Sequence, residues 1–223
     1  MVFKFLLSAK KIQSGATLVE LVVVVFIISI FSAILVANFP KAQKMFSLSR
    51  SAYDLAQNLR KTEDFGLSGV IDSSVAMGGR SAELRGYGIY IPPRPAVEYY
   101  IYADIAQSAD VEGDYKYSGN VDYLFCSIVL GINETPSDCI VDVVDVKAED
   151  PDLEIVSVTD NNCATIPGDA GVSVNFNPPD PKITIKSDND ISYSAININF
   201  GLASERAASK SILVNSSGLV SVQ

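Results

Sequence analysis

Residues 14–39 read SGATLVELVVVVFIISIFSAILVANF and decide the architecture of the chain. The part from 16 to 38 is predominantly apolar, and about 20 such residues in a helix suffice to cross the ~30 Å hydrocarbon core of a bilayer. Glu20 is the only ionisable side chain between Lys11 and Lys41. Because an ionised acid inside hydrocarbon is costly, it usually marks a functional position.

A basic segment, residues 1–15, precedes the apolar run, with Lys4, Lys10 and Lys11 and no acidic residue. A secretory signal peptide is disfavoured, because its apolar region should be about 7–15 residues long and end at a small-residue cleavage site. A plain signal anchor explains the length of the run, and the flanking lysines would keep the N-terminus in the cytoplasm. It does not explain Glu20.

Gly15, then Ala16, then Glu20 inside an unbroken apolar run, resembles the class III signal of type IV pilins and pseudopilins. The resemblance implies that a prepilin peptidase removes the leader, residues 1–15, by cutting after Gly15. It further implies that the new amine on Ala16 is methylated and that the apolar helix is kept. Phe is the commonest residue after the cut in that family, whereas this chain has Ala16. The proline often found midway along the helix is missing, and Pro40 follows the run instead.

The cut would place a free amine one helical turn before Glu20. In a filament whose core is a bundle of such helices, this amine and the Glu20 carboxylate of a neighbouring subunit could pair. Neither charge would then stay uncompensated in an apolar core. Such a pair would also fix the register between subunits, so the resemblance implies a role for Glu20 in filament assembly. The alternative is an accidental acid close to the membrane surface.

Beyond the apolar run, hydrophobic residues recur at spacings of four and three, which is typical of one face of an amphipathic helix. These residues are Leu48, Ala52, Leu55 and Leu59, followed by Phe65. The pattern predicts one long N-terminal helix over residues 16–68. Residues 16–38 would form its transmembrane or filament-core part, and residues 39–68 its amphipathic part. Gly66 and Gly69 are natural helix stops.

After residue 69, short segments rich in β-branched and aromatic residues alternate with Gly, Pro, Asn, Asp and Ser, which predicts strands and turns. The predicted strands are residues 86–92, 97–105, 123–130, 139–146, 153–159, 171–176, 182–187, 195–200 and 211–222. Residues 215–218, NSSG, are the predicted tip of a terminal hairpin. The fold class is therefore α+β, with a long N-terminal hydrophobic helix packed on an antiparallel β-sheet head, residues 69–223.

The order of GYGIYIPP, EYYIYADI, VNFNPPDPKITI and ILVNSSGLVSV resembles the head of H-type minor pseudopilins, the GspH-like and FimT-like proteins. The resemblance implies a structural subunit, a minor pilin or pseudopilin, of a type IV pilus or type II secretion filament. The implied partners are other pilin or pseudopilin subunits, prepilin peptidase, the inner-membrane assembly platform and, before assembly, membrane lipid. The implied location is the bacterial inner membrane, crossed once with the head outside the cytoplasm, and then the pilus or pseudopilus.

Composition argues against catalysis and against nucleic acid as a general partner. The chain has no His, the commonest general base and metal ligand. Its net charge of −9 repels phosphate backbones, so binding of DNA is unlikely on physical grounds. No enzyme activity, cofactor or metal is expected, and the acidic segment 109–115 is interpreted as a solvated turn. Two alternatives stay open: a minor pilin that binds DNA or another ligand, and a membrane-anchored domain that never assembles.

Three cysteines are present, Cys126, Cys139 and Cys163, and none lies in a C-x-x-C motif. In an oxidising compartment Cys126 and Cys139 could form a disulfide, worth about 3 kcal/mol in the chain-entropy picture. The alternative is three small buried hydrophobic side chains. Cys163 would be the unpaired one.

Overall fold

The computed structural model describes residues 17–68, 83–106, 115–117, 138–177, 182–205 and 208–223. The chain divides into two compact units, Met1–Gln43 and Lys44–Gln223. One helix, α1, runs over Leu18–Ser68 and contributes to both units.

In the first unit, α1 is exposed on all sides. Every residue from 17 to 43 is exposed, and nearly all of them up to Phe39 are apolar. Two polar residues in this part turn back onto their own helix. The Ser29 hydroxyl donates to the Val25 carbonyl at 2.8 Å, and the Asn38 amide donates to the Ile34 carbonyl at 2.9 Å. The helix is long and apolar enough to cross a membrane.

In the second unit, the remainder of α1 buries one face. The predicted stripe residues Leu48, Ala52, Leu55 and Leu59 are buried, together with Ser51, Ala56, Thr62 and Gly66. Phe65 is only partly buried, and its ring meets that of Tyr87 at a centroid distance of 5.7 Å. Of the two glycines named as natural stops, Gly66 lies inside α1, which ends at Ser68, directly before Gly69. Gly66 instead lets the backbone of Phe176 approach the helix, because a Cβ there would lie 2.7 Å from the Phe176 carbonyl oxygen.

The head contains ten strands among the described residues. In chain order they are β1 Glu83–Ile91, β2 Glu98–Ala106, β3 Cys139–Asp145, β4 Leu153–Asp160, β5 Val172–Asn177, β6 Lys182–Ser187, β7 Ser192–Tyr193, β8 Ala195–Leu202, β9 Ser209–Asn215 and β10 Val220–Val222. A short 3-10 helix, Val146–Ala148, follows β3.

These strands form two antiparallel sheets. The first has six strands in the order β3-β2-β1-β5-β6-β7, and the second has four in the order β10-β9-β8-β4. The structure therefore confirms the predicted α+β class and shows that the head is built from two sheets. Strand β7 was not predicted, because two residues are too few to show a periodic pattern. The predicted strand at residues 123–130 lies outside the described residues.

The terminal hairpin is present as predicted, with β9 and β10 antiparallel. Its tip is held by Asn215, whose side-chain oxygen accepts the backbone N–H of Ser217 at 3.0 Å and that of Leu219 at 2.9 Å. Gly218 has a φ of 93°, a left-handed conformation that glycine adopts without steric cost.

The hydrophobic core joins the buried face of α1 to both sheets. It includes Leu55 from the helix, Ile89 and Val174 from the six-stranded sheet, and Ile198 and Ile212 from the four-stranded sheet. On the opposite face of the six-stranded sheet, a second cluster packs aromatic rings. This aromatic cluster consists of Tyr90, Tyr100, Tyr102, Tyr117 and Ile140. Strands β1 and β2 are thus packed on both faces, by the main core on one and by the aromatic cluster on the other.

Candidate functional site

The predicted N-terminal site begins at the first turn of α1. Thr17 precedes the helix, and its hydroxyl oxygen accepts the backbone N–H of Glu20 at 3.2 Å. Thr17 and Glu20 have the spacing of a capping box, in which a Thr caps the helix and an acid or Gln follows three residues later. Gly15 and Ala16, the predicted cleavage and methylation residues, lie outside the described residues.

Glu20 is exposed and lies in the first turn of the helix. A carboxylate at this position also interacts favourably with the positive end of the helix dipole, typically by about 0.3–1 kcal/mol at an exposed site. Glu20 therefore has two separate properties. It occupies the third position of the N-terminal capping box, and it places a negative charge at one end of an apolar helix.

The apolar surface next to Glu20 is large. Phe26 and Phe31 are each 65% exposed, and Leu35 is 70% exposed. Contiguous apolar patches of more than a few hundred Å² on a protein mark contact with a membrane or with another protein. This part of α1 therefore needs an apolar partner, either lipid or other helices.

At the start of the second unit, Lys44 forms an ion pair with Asp152 in the loop before β4. Lys44 Nζ lies 2.7 Å from Asp152 Oδ2. Ser204 supports the same carboxylate through its backbone N–H, 3.0 Å from Asp152 Oδ1, and through its hydroxyl. Hydrogen bonds from Lys44 and Ser204 lower the pKa of Asp152, and the hydrogen bond to Asp152 raises the pKa of Lys44. A second ion pair, Arg50 with Glu149 at 3.1 Å, also links α1 to the segment between β3 and β4.

A polar cluster that was not predicted lies on the aromatic face of the six-stranded sheet. We call it the glycine trough: Gly86 and Gly88 of β1, Asp104 of β2, and Asn175 and Asn177 of β5. The Asn175 amide donates to Asp104 Oδ2 at 2.7 Å. Asp104 is 1% exposed and Asn175 is fully buried. The two alternate glycines in GYGIYI are the one signal in the sequence that could have indicated a close approach of other groups to one face of β1.

Beside the trough, Tyr117 places its ring 5.3 Å from that of Tyr102, and its backbone N–H donates to the Ser173 hydroxyl at 2.9 Å. Burial, with a smaller contribution from the negative charge of Asp138, raises the pKa of Tyr117 to about 12. The Tyr117 hydroxyl is therefore neutral at physiological pH.

The cysteines differ in state. Cys139, the first residue of β3, takes part in a disulfide bond. Cys126 lies outside the described residues, so the pairing of Cys126 with Cys139 stays a prediction. Cys163 is free and exposed, so the alternative of three buried cysteines was wrong for this residue.

The described part of the chain holds no group of three or more His, Cys, Asp or Glu side chains that could bind a metal ion. The acidic segment 109–115, interpreted from the sequence as a solvated turn, lies outside the described residues except for Tyr115.

Comparison with known protein families gives a match for the N-terminal segment. Residues 10–36 match a family model described as the prokaryotic N-terminal methylation motif. The match includes Gly15, Ala16, Glu20 and most of the exposed apolar segment. No curated protein and no solved structure matched the chain.

Proposed function

Because residues 10–36 match the prokaryotic N-terminal methylation motif and resemble the class III signal of type IV pilins and pseudopilins, we propose that the chain is a structural subunit, a minor pilin or pseudopilin, of a type IV pilus or type II secretion filament. Residues 1–15 form a leader that prepilin peptidase removes after Gly15, and Ala16 is then methylated. Residues 16–68 form the helix through which the subunit assembles with its neighbours on the inner-membrane platform. Residues 69–223 form the head, which lies outside the cytoplasm.

One observation carries this proposal. Residues 17–43 are exposed on every side, are predominantly apolar up to Phe39, and contain one acid, Glu20, in the segment that matches the methylation motif. An anchor needs only the apolar length. A filament core needs in addition a device that fixes how far one helix is displaced along the next. Pairing of Glu20 with the Ala16 amine of a neighbouring subunit supplies that device, since any slip leaves two charges in an apolar core.

The capping geometry of Thr17 and Glu20 gives a competing explanation for the acid. The two explanations need different chemical properties. The third residue of a capping box can be Glu or Gln, whereas a charge pair requires the carboxylate. Substitution of Glu20 by Gln therefore keeps the cap and removes the charge.

The test compares Glu20→Gln, Glu20→Ala and Thr17→Ala in cells with an active prepilin peptidase and assembly platform. We expect both Glu20 variants to be cleaved and inserted in the membrane but to be lost from the sheared filament fraction. Thr17→Ala should assemble, because it removes the cap and keeps the charge. Asp64→Asn, which neutralises an exposed acid at the other end of α1, is the matched control. Normal assembly of Glu20→Gln would contradict the charge pair. Absence of the parent chain itself from the filament fraction would favour an anchor that never assembles.

Processing is tested independently by mass spectrometry of the N-terminal peptide from membrane-extracted protein. The expected peptide begins at Ala16 and carries one methyl group. A chain that still begins at Met1 in cells with active peptidase would contradict the proposal at its first step, whatever the result for Glu20.

We also propose that Cys126 is the partner of Cys139. A disulfide in the head fits a location outside the cytoplasm, where the redox conditions let such bonds persist. Peptide mapping without reduction should recover a cross-linked peptide containing both residues. Recovery of Cys126 as a free thiol would contradict the pairing.

A further inference from the structure

The glycine trough is built by the register of three strands. Gly86 pairs with Asp104 across β1 and β2, and Gly88 pairs with Asn175 across β1 and β5. Asp104 and Asn175 thus belong to strands on opposite sides of β1. They meet above β1, at 2.7 Å, because neither glycine places a side chain between them.

The floor of the trough brings oxygen atoms together. A Cβ at Gly86 would lie 2.4 Å from the Phe176 carbonyl oxygen, 3.0 Å from Asn175 Oδ1 and 3.1 Å from Asn177 Oδ1. Three acceptor atoms therefore converge beside Gly86, on the side where the Asp104 carboxylate is held by Asn175.

Two of these acceptors are buried without a hydrogen bond from any described residue: Asn175 Oδ1 and Asn177 Oδ1. The Asn175 amide nitrogen faces Asp104, because it donates to Asp104 Oδ2. Its oxygen must then face the trough. Buried acceptors of this kind call for a partner, which in folded proteins is a donor, an ordered water or an ion.

We propose that the glycine trough binds a hard cation of the size and charge of Ca²⁺. Its ligands from the described residues are the Asp104 carboxylate and the carboxamide oxygens of Asn175 and Asn177. Ca²⁺ accepts carboxylates, amide carbonyls and water in irregular geometry, whereas Mg²⁺ requires a near-ideal octahedron and keeps its waters. With one carboxylate, the site belongs with the weak class of Ca²⁺ sites, with dissociation constants of roughly 10⁻⁴–10⁻³ M.

The chain offers a direct probe of this site. It contains no Trp, so luminescence of bound Tb³⁺, a stand-in for Ca²⁺, can be sensitised only by tyrosine and phenylalanine. Tyr102 lies over the trough, because a Cβ at Gly88 would be 2.6 Å from its hydroxyl oxygen. The full chain in detergent should give tyrosine-excited Tb³⁺ emission that Ca²⁺ displaces and the same concentration of Mg²⁺ does not.

Two variants locate the site. Loss of an outer-shell partner of a metal ion already weakens binding by roughly tenfold. Asp104→Asn and Asn177→Ala each remove a direct ligand, so each should weaken Tb³⁺ and Ca²⁺ binding by at least that factor. Asn199→Ala is the matched control, since Asn199 is a partly buried strand asparagine in the other sheet, bonded to Ser157 at 3.1 Å. Its binding should equal that of the parent chain.

The proposal fails if the parent chain gives no tyrosine-sensitised emission, if Ca²⁺ does not displace Tb³⁺, or if both variants bind as the parent does. The first result would mean that no cation occupies the trough. If Asp104→Asn does not fold, as judged by near-UV circular dichroism, Asn177→Ala decides, because Asn177 is only partly buried at the end of β5.

Discussion

Helix α1 meets two different requirements along its length. In residues 18–43 the apolar side chains cover every face and all are exposed. In residues 44–68 the buried apolar side chains form one stripe, in which Leu48, Leu55 and Leu59 are fully buried against the sheets of the head, while Phe46 and Tyr53 are exposed. The backbone conformation is the same in both parts, so the distribution of apolar residues around the helix decides what each part can bind.

A helix that is apolar on all sides has no preferred face for contact, so lipid or several neighbouring helices can cover it equally well. A single stripe requires one partner of matching shape, which the chain supplies from its own strands. In the proposed function, the first part would leave the membrane for a filament core. The second part packs against the head, and its buried stripe belongs to the core of that head.

The two parts of α1 should differ most in how much stability the head loses when a leucine or isoleucine is replaced by alanine. Leu55→Ala should lower the free energy of unfolding of the head by about 2–5 kcal/mol, because it leaves a cavity at a fully buried site. Ile28→Ala removes similar atoms from a residue that is 58% exposed and should leave the stability of the head unchanged. Denaturant unfolding of the full chain in detergent, followed by tyrosine circular dichroism, measures both. Equal losses would show that the two parts of α1 are not separate in stability.

A smaller loss is expected at Gly66, where helix propensity and packing have opposite effects. Ala at this position should favour the helix by about 1 kcal/mol. The added methyl group would, however, stand 2.7 Å from a backbone oxygen of Phe176, which cannot rotate away. Overpacking of this kind costs about 1–3 kcal/mol, so Gly66→Ala should reduce stability in spite of the better propensity.

Leu67→Ala is the control for that measurement, since Leu67 is the next residue of the helix and is 45% exposed. It should change the free energy of unfolding little. A gain in stability for Gly66→Ala would mean that β5 can withdraw from the helix and that the close approach is not needed.

Much of this architecture could be predicted from the sequence, because it depends on local pattern. The uninterrupted apolar run, the stripe from Leu48 to Leu59, and strands such as β6 and β9 each show their own periodicity. The N-terminal motif could be predicted by resemblance, since Gly15, Ala16 and Glu20 are close in sequence, and the match at residues 10–36 supports it. The H-type resemblance of the head has no such support.

The remaining features depend on residues that meet only after folding. The glycine trough joins Asp104 to Asn175, and no periodic signal shows that these strands lie on either side of β1. The function of Gly66 depends on Phe176 in the same way, which is why a helix stop was the natural prediction. The division of the strands between two sheets is likewise set by pairing partners far apart in sequence, as when β4 pairs with β8.

The smallest expected effect on stability comes from the ion pair of Lys44, the first residue of the second unit. Lys44→Ala removes the ion pair with Asp152 and should lower the midpoint of thermal unfolding slightly at neutral pH. The pKa of Asp152 is lowered in the folded chain, so its contribution is present above the ordinary carboxyl pKa and is lost as pH falls through the folded value. The pKa of Lys44 is raised, so its contribution is lost at the alkaline end. The difference from the parent chain should therefore be greatest between about pH 5 and 9 and vanish in strong acid. Arg60→Ala, which removes an exposed cation from the same helix, controls for loss of charge alone. If the effect of Lys44→Ala does not change with pH, the methylene chain of Lys44, and not its charge, contributes to the stability of the head.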